Sequence, residues 1–303
     1  AYHGQELFQA DISSAFLNAD VPEGKSIYAR QPPGPAIPRV LDEHGKPKLL
    51  KLKRMQYGHK FAPAAWLRCF TSFLKTELGM EPLVSEPCMF TKSEKLKIPR
   101  KVWRDRNGKV VSAAYDSVES APKSFLKDHK LETITHDTIW ASIFVDDIIY
   151  TSTNAVMGEK MLKALEDRFT VKKSESGLAT WILGMAVDAH QSPTGEIESY
   201  KLSSKAQIDK LVEFAGLTTE DKADTPLEAG LQLPKLQEPE DGIDPNACVG
   251  PKRRSMLSII GSCLFIALTT RPDICYACGM LARHSTTPGA KHIDQLMRVV
   301  KYL

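Results

Sequence analysis

The sequence predicts an α+β fold, an antiparallel sheet backed by helices, and three observations predict it. Apolar runs at 139–145 and 148–150 flank Asp146-Asp147 as two strands flank the tip of a tight hairpin. Helically spaced stripes separate such runs, the first being Trp66, Phe70, Phe73, Leu74 and Leu78. Of 303 residues, 42% are hydrophobic and 25% charged, which supports a real core and excludes a disordered, collagenous or mucin-like chain. At roughly 150 residues per domain, the length fits one large domain or two coupled ones.

In chain order, residues 7–12 read as a buried strand that delivers Asp11 to a sheet edge. Ser14-Ala15-Phe16-Leu17 then begins a turn or short helix. The Pro/Gly-rich stretch from Gln31 to Pro38 admits no helix. Residues 46–60 hold Lys46, Lys48, Lys51, Lys53, Arg54 and Lys60 without an acid, and the alternation of Leu50 and Leu52 with Met55 predicts a strand with one basic face. That face is either merely solvated or turned toward phosphate. Pro63 opens a helix that Gly79 stops, its apolar stripe being core. Residues 92–138 are polar and basic with a turn at Asn107-Gly108, a surface insertion in the form of a hairpin or loop.

After the Asp146-Asp147 hairpin, residues 157–169 form an amphipathic helix, with Met161, Leu162, Leu165 and Phe169 on one face. A strand at 181–187 leads to a hairpin around Pro193-Thr194-Gly195, followed by a helix over 204–215 that Gly216 ends. Residues 233–251 are Pro-rich and acidic, as in a linker. Helices follow at 256–268 and 272–284, with a third from about Lys291, and there are no repeats.

Several function classes drop out. The formal charge of +3 does not mark a nucleic-acid binder, so any such signal must be local. The longest apolar stretch, 256–268, is interrupted by Ser258, Gly261 and Ser262 and falls short of the roughly 20 residues of a membrane span. No secretory signal is apparent, and six irregularly spaced cysteines fit a reducing, intracellular setting rather than a disulfide framework. The start at Ala1 and the end within Val299-Val300-Lys301-Tyr302-Leu303 are expected of a fragment of something longer. Cys275 and Cys278 form a C-x-x-C on a helix and read as core cysteines rather than zinc ligands. His59 and His136 read as surface residues, Lys252-Arg253-Arg254 is too short for a targeting signal, and there is no Gly-rich P-loop.

The chemistry lies in Asp11 and Asp146-Asp147. An isolated carboxylate after an apolar strand is commonly a strand end or a helix cap. Adjacent acids between two apolar strands repel and raise each other's pKa, and divalent cations neutralise them best. Hard oxygen ligands imply Mg²⁺ or Mn²⁺, and two such ions about 3.5–4 Å apart serve phosphoryl transfer.

The surrounding residues sharpen this reading. Phe8-Gln9-Ala10-Asp11-Ile12-Ser13-Ser14-Ala15-Phe16-Leu17-Asn18 closely resembles the first palm motif of the reverse transcriptases of copia-type retrotransposons. Gln31-Pro32-Pro33-Gly34 follows as in that family. Tyr57-Gly58-His59-Lys60-Phe61-Ala62-Pro63-Ala64-Ala65-Trp66 is similar to its second motif, and Ser85-Glu86-Pro87-Cys88-Met89-Phe90 to the segment after it. Phe144-Val145-Asp146-Asp147 is similar to its aromatic-x-Asp-Asp signature. Leu183-Gly184-Met185 and Thr270-Arg271-Pro272-Asp273-Ile274 complete seven motifs in order, from about residue 8 to 303 with an interruption at 92–138.

The resemblance implies a right-hand polymerase, with a palm from 1–20 and 62–200, partial fingers from 21–61 and a helical thumb/connection from 201–303. It implies an RNA-directed DNA polymerase that extends an RNA or DNA template-primer with dNTPs. Asp11 and Asp146 would hold two Mg²⁺ or Mn²⁺ ions, with Asp147 as a third carboxylate. Backbone N–H groups around Ser13, Ser14 and Ala15 would cradle the triphosphate. Phe16 would be the steric gate against a ribose 2′-OH, unless it is a plain core aromatic. Tyr57 and Gly58 would lie under the templating pair, Val145 against the primer end, and Lys60, Lys51, Lys53 and Arg54 on template-primer phosphates. RNase H and integrase segments would adjoin in a polyprotein, within a cytoplasmic virus-like particle or the nucleus.

The chain departs from the family at Phe61, where Gln is usual, and at Gln56, where Leu is usual. The upstream basic fingers residues of related retroviral enzymes have no counterpart here. The main rival reading is therefore a truncated or inactive element copy that binds nucleic acid without turnover. A nucleotidyl cyclase or phosphoacceptor receiver is a weaker rival, since neither would carry Phe16 or the 57–66 segment.

Overall fold

A computed structural model describes residues 5–32, 39–106, 110–111, 115, 117–173, 177–193, 197–218, 220–238, 248–249 and 254–303. The Pro33–Pro38 part of the Pro-rich loop, the Asn107-Gly108 turn, Thr194-Gly195, most of the acidic linker and Lys252-Arg253 lie outside them. The chain divides into two units, residues 1–179 with 191–199 and residues 180–190 with 200–303.

The first unit is built on one antiparallel sheet. Its strands lie in the order Glu81–Pro82, Met89–Asp105, His129–Phe144, Asp147–Ser152, Phe8–Ile12, Val171–Lys172. Alternation sorts the side chains by face. Ala10, Ile12, Phe90, Ala141, Ile143, Ile148 and Tyr150 point one way and are buried, whereas Gln9, Asp11, Ser142, Phe144, Asp147 and Ile149 point the other way and are not.

Two helices cover the apolar face. Ala62–Thr76 has Pro in its first turn and buries Trp66, Phe70, Phe73 and Leu74. Ala155–Arg168 is capped by Asn154, whose Oδ1 accepts the Val156 N–H at 2.9 Å, and buries Met157, Met161 and Leu165. The other face of the sheet is left open, as antiparallel sheets allow. Phe8–Ile12 lies inside the sheet, because the short strand Val171–Lys172 pairs on its outer side, so Asp11 does not stand at an edge as expected.

Within 92–138, two sheet strands continue outward as a pair up to Asp105 and from His129, with a bulge between Lys95 and Arg100. Near its end Trp103 is buried, with its ring 5.2 Å from that of Phe125, and its indole N–H donates to the Tyr115 carbonyl. Asp137, also buried, accepts from Arg100, from Asn154 at 2.7 Å and from Thr153 at 3.3 Å, which ties the hairpin's root to the Ala155–Arg168 cap.

The strand expected over 46–60 shrinks to Leu50–Lys51, paired with Tyr28–Ala29. Side-chain hydrogen bonds outcompete the ladder there: Asp42 accepts the His44 and Lys46 N–H groups, and Gln31 bonds the Val40 and Lys48 carbonyls.

In the second unit the strand expected over 181–187 is itself a hairpin, Trp181–Ile182 against Met185–Gln191. Leu183 (φ 47) and Gly184 (φ 85) make its two-residue turn. Helices Lys205–Ala215, Met256–Thr269, Cys275–Ala282 and Ala290–Tyr302 enclose a core of Leu211, Ile259, Ile260, Ile266, Leu281, Leu296 and Val299. The helix expected at 272–284 starts as a 3-10 turn, Pro272–Ile274, because Arg271 folds onto Asp273, and its α-helical part ends at Ala282. Cys263 and Cys278 are buried in this core. Among the described residues no helix is long and apolar enough to cross a membrane.

Candidate functional site

Asp11 and Asp147 face each other directly across neighbouring strands, and Lys172 stands opposite Asp11 on the other side. Directly opposed like charges are destabilising. Burial holds the Asp147 carboxyl above the ordinary carboxylate range, and the charges of Asp146 and Asp11 add to the rise. Gln9 works against it, its Nε2 donating to Asp147 Oδ1 at 3.3 Å.

Asp146 is the second residue of the two-residue turn that joins His129–Phe144 to Asp147–Ser152. The first, Val145, has φ 57, which is glycine territory in a type II′ hairpin turn and costs a β-branched residue about 1–2 kcal/mol. Two hydrogen bonds hold the turn from outside. The Ile12 N–H donates to the Asp146 carbonyl at 2.9 Å, and the indole N–H of Trp66 donates to the Val145 carbonyl.

The segment after Asp11 turns sharply, with Ser14 left-handed (φ 55) before the 3-10 turn Ala15–Asn18. Its N–H groups are not all available for the phosphate cradle expected of them. That of Ser13 donates to the Thr170 carbonyl at 2.8 Å. Ser13 Oγ is buried without a partner among the described residues.

Phe16 is 9% exposed, and its ring lies 4.6 Å from that of Tyr57, which is 54% exposed. Burial raises the Tyr57 hydroxyl's pKa above its ordinary value, as do the charges of Asp146 and Asp11. Gly58 has φ 84 with open space around its α-carbon, so backbone conformation rather than crowding calls for glycine. Lys60 lies over the Phe61 ring at 5.1 Å.

Lys51 and Lys53 are exposed. Arg54 is engaged at home instead, donating to the Asn18 carbonyl at 2.9 Å and pairing with Asp20. It fastens two chain segments rather than standing clear for a phosphate.

Three carboxylates without nitrogen or sulfur donors suit a hard divalent cation, and the opposed Asp11–Asp147 pair gains most from one. As they lie, no three His, Cys, Asp or Glu side chains among the described residues gather closely enough to hold an ion, so binding would have to draw the carboxylates together.

A family profile described as reverse transcriptase (RNA-dependent DNA polymerase) matches residues 1–103. The retrovirus-related Pol polyprotein from transposon TNT 1-94 of Nicotiana tabacum is 24% identical over 299 residues, 98% of this chain and 18% of that protein. That from transposon RE1 of Arabidopsis thaliana is 26% identical over 295 residues, 97% of this chain and 16% of that protein. The chain is thus similar to reverse transcriptases over residues 1–103 and to transposon Pol polyproteins over nearly its whole length. A putative transposon Ty5-1 protein of Saccharomyces cerevisiae is 25% identical over 294 residues, 97% of this chain and 74% of that protein. The chain spans less than a fifth of the length of the two Pol polyproteins. No solved structure matches it.

Three residues of this candidate site escape sequence reasoning. Gln9 is signalled only by its two-residue spacing from Asp11, which puts both on one face. Trp66 looks like part of an apolar stripe, although a buried indole N–H always needs an acceptor. Lys172 carries no local signal, since its place beside Asp11 depends on strand pairing.

Proposed function

We propose that this chain is the RNA-directed DNA polymerase domain of a retrotransposon, extending a template-primed 3′ end with dNTPs. What supports the reading most is a single arrangement. Asp11 and Asp147 are opposed on the open face of a helix-backed antiparallel sheet, with Asp146 in the adjoining turn and the Phe16 and Tyr57 rings alongside. In this reading residues 1–20 and 62–200 are palm, 21–61 fingers and 201–303 thumb and connection.

Two Mg²⁺ or Mn²⁺ ions, held by Asp11 and Asp146 with Asp147 in support, would lower the pKa of the primer 3′-OH and stabilise the pyrophosphate that leaves. The chain's own residues do the positioning. Phe16, backed by Tyr57, fills the space beside the sugar C2′ and so admits deoxyribose. Ser14 and Ala15 offer N–H groups to phosphate. Val145 abuts the primer end, Gly58 leaves room for a base, and Lys51, Lys53 and Lys60 bind template-primer phosphates. RNase H and integrase segments adjoin this domain in the intact polyprotein, as the Pol names of its relatives support.

The test is Mg²⁺-dependent incorporation of dTTP on oligo(dT)-primed poly(rA), with Asp146→Asn alongside. Incorporation by the parent and only background by the variant, with template-primer binding equal in both, is expected. Equal incorporation by the two would refute the assignment. Binding without incorporation by either would make the chain a remnant.

A further inference from the structure

Trp66 sits in the second turn of the helix under the sheet, is 2% exposed, and packs its ring 5.1 Å from Phe70 and 5.6 Å from Phe169. Packing alone would be served as well by phenylalanine. What phenylalanine lacks is the indole N–H, and here that group reaches across 79 residues of sequence to the Val145 carbonyl. Val145 is the residue of the Asp-Asp turn that holds the unfavourable backbone, φ 57, without glycine's freedom. With the Ile12 N–H on the Asp146 carbonyl, both carbonyls of the turn are fixed by groups from other elements.

We propose that Trp66 is a positioning residue of the polymerase site. Its indole N–H holds Val145 in the left-handed conformation and thereby fixes the turn that carries Asp146 next to Asp147. A valine free of that bond relaxes to negative φ, which rotates the Val145–Asp146 peptide and turns the carboxylate away. The inference rests on the polymerase reading for its consequence, but not for its geometry. Trp66 itself touches neither nucleotide nor template.

The test replaces the indole N–H and nothing else. Site-specific incorporation of 3-benzothienylalanine at position 66 keeps the bicyclic ring and puts sulfur where the N–H was, and Trp66→Phe is the genetically encoded counterpart. Binding of Mn²⁺, followed by the electron paramagnetic resonance of the free ion, needs no turnover, and Asp146→Asn identifies the component that belongs to this site. Weakening of that component by about tenfold is expected in both variants, with a matching rise in the Mg²⁺ needed for half-maximal incorporation. The KM for dTTP at saturating metal and the affinity for template-primer should stay within twofold.

Val145→Gly supplies the second arm, since glycine adopts positive φ without help. Adding it to either Trp66 variant should restore most of the missing Mn²⁺ affinity. Unchanged Mn²⁺ binding in the benzothienyl protein overturns the inference, as does a weakening that Val145→Gly leaves in place. A parent chain that binds Mn²⁺ through Asp146 but does not polymerise would defeat the polymerase reading alone, and the Trp66 result would still stand or fall on binding.

Discussion

Asp147→Asn should make the protein more stable without metal and useless with it. Asp11 and Asp147 are directly opposed, which puts side chains about 5 Å apart. Two unit charges at that distance repel by about 0.8 kcal/mol in water and about 3 kcal/mol at an effective dielectric of 20. Asp147 is only half-buried, so about 1–2 kcal/mol is the fair figure. The asparagine carbonyl can still accept the Gln9 amide, so little else changes. For a unit the size of the first, each kcal/mol moves the melting temperature by about 2–4 °C. The variant should therefore melt a few degrees higher than the parent in EDTA at pH 7.

The sign with pH follows from the raised carboxyl of Asp147. Its folded-state pKa exceeds its unfolded one, so the parent loses stability as pH rises through that interval and regains it on protonation below. The variant should lack this contribution. Magnesium at a hundred times its Kd should stabilise the parent by about 2.7 kcal/mol and the variant much less. Thermal melts with EDTA and with Mg²⁺, at several pH values, read all three effects. A variant that melts below the parent in EDTA, or gains as much from Mg²⁺, would refute the opposed-carboxylate argument.

Phe16→Val should open the space beside C2′ and lower discrimination against ribonucleotides about 10²-fold, measured as the ratio of kcat/KM for dTTP and UTP. An unchanged ratio would return Phe16 to the ordinary core. Replacing Lys51 and Lys53 by alanine should reduce the slope of log affinity against log salt by about 0.9 for each phosphate no longer neutralised, whereas Arg54→Ala should lower thermal stability through the bared Asn18 carbonyl. Trp103→Ala should cost the outer hairpin about 3–5 kcal/mol and expose it to protease between Arg106 and His129, with the sheet's own melt unmoved.

The carboxylates were legible because each ends or follows an apolar run, and local pattern reports that faithfully. Their register was not, since nothing near Asp11 says that Asp147 rather than Asp146 will stand opposite it. The helices at 62–76 and 155–168 announced themselves through an initiating proline and an apolar stripe. The basic strand over 46–60 failed for a physical reason: Asp42 and Gln31 satisfy nearby backbone groups with their side chains, and the ladder loses its partners. At 181–187 the pattern concealed a turn, because Leu183 takes a left-handed conformation that its residue type disfavours.

The features that escaped detection share a cause with the function. Opposed acids, a valine at positive φ and a buried Ser13 hydroxyl without a partner among the described residues each raise the energy of the folded chain, and they lie together at one end of the sheet. Sequence rules describe what lowers energy locally, so they are silent where a site is held against its preference. The holding comes from beneath, where Trp66, Phe70, Phe73 and Phe169 pack as one aromatic cluster with neighbouring centroids 5.1–5.9 Å apart. Trp66 belongs to both sides, its ring in the cluster and its N–H on the strained turn. Substitutions that loosen the cluster without touching an acid should therefore weaken metal binding before they unfold the domain, whereas a packing-only role would make the two effects coincide.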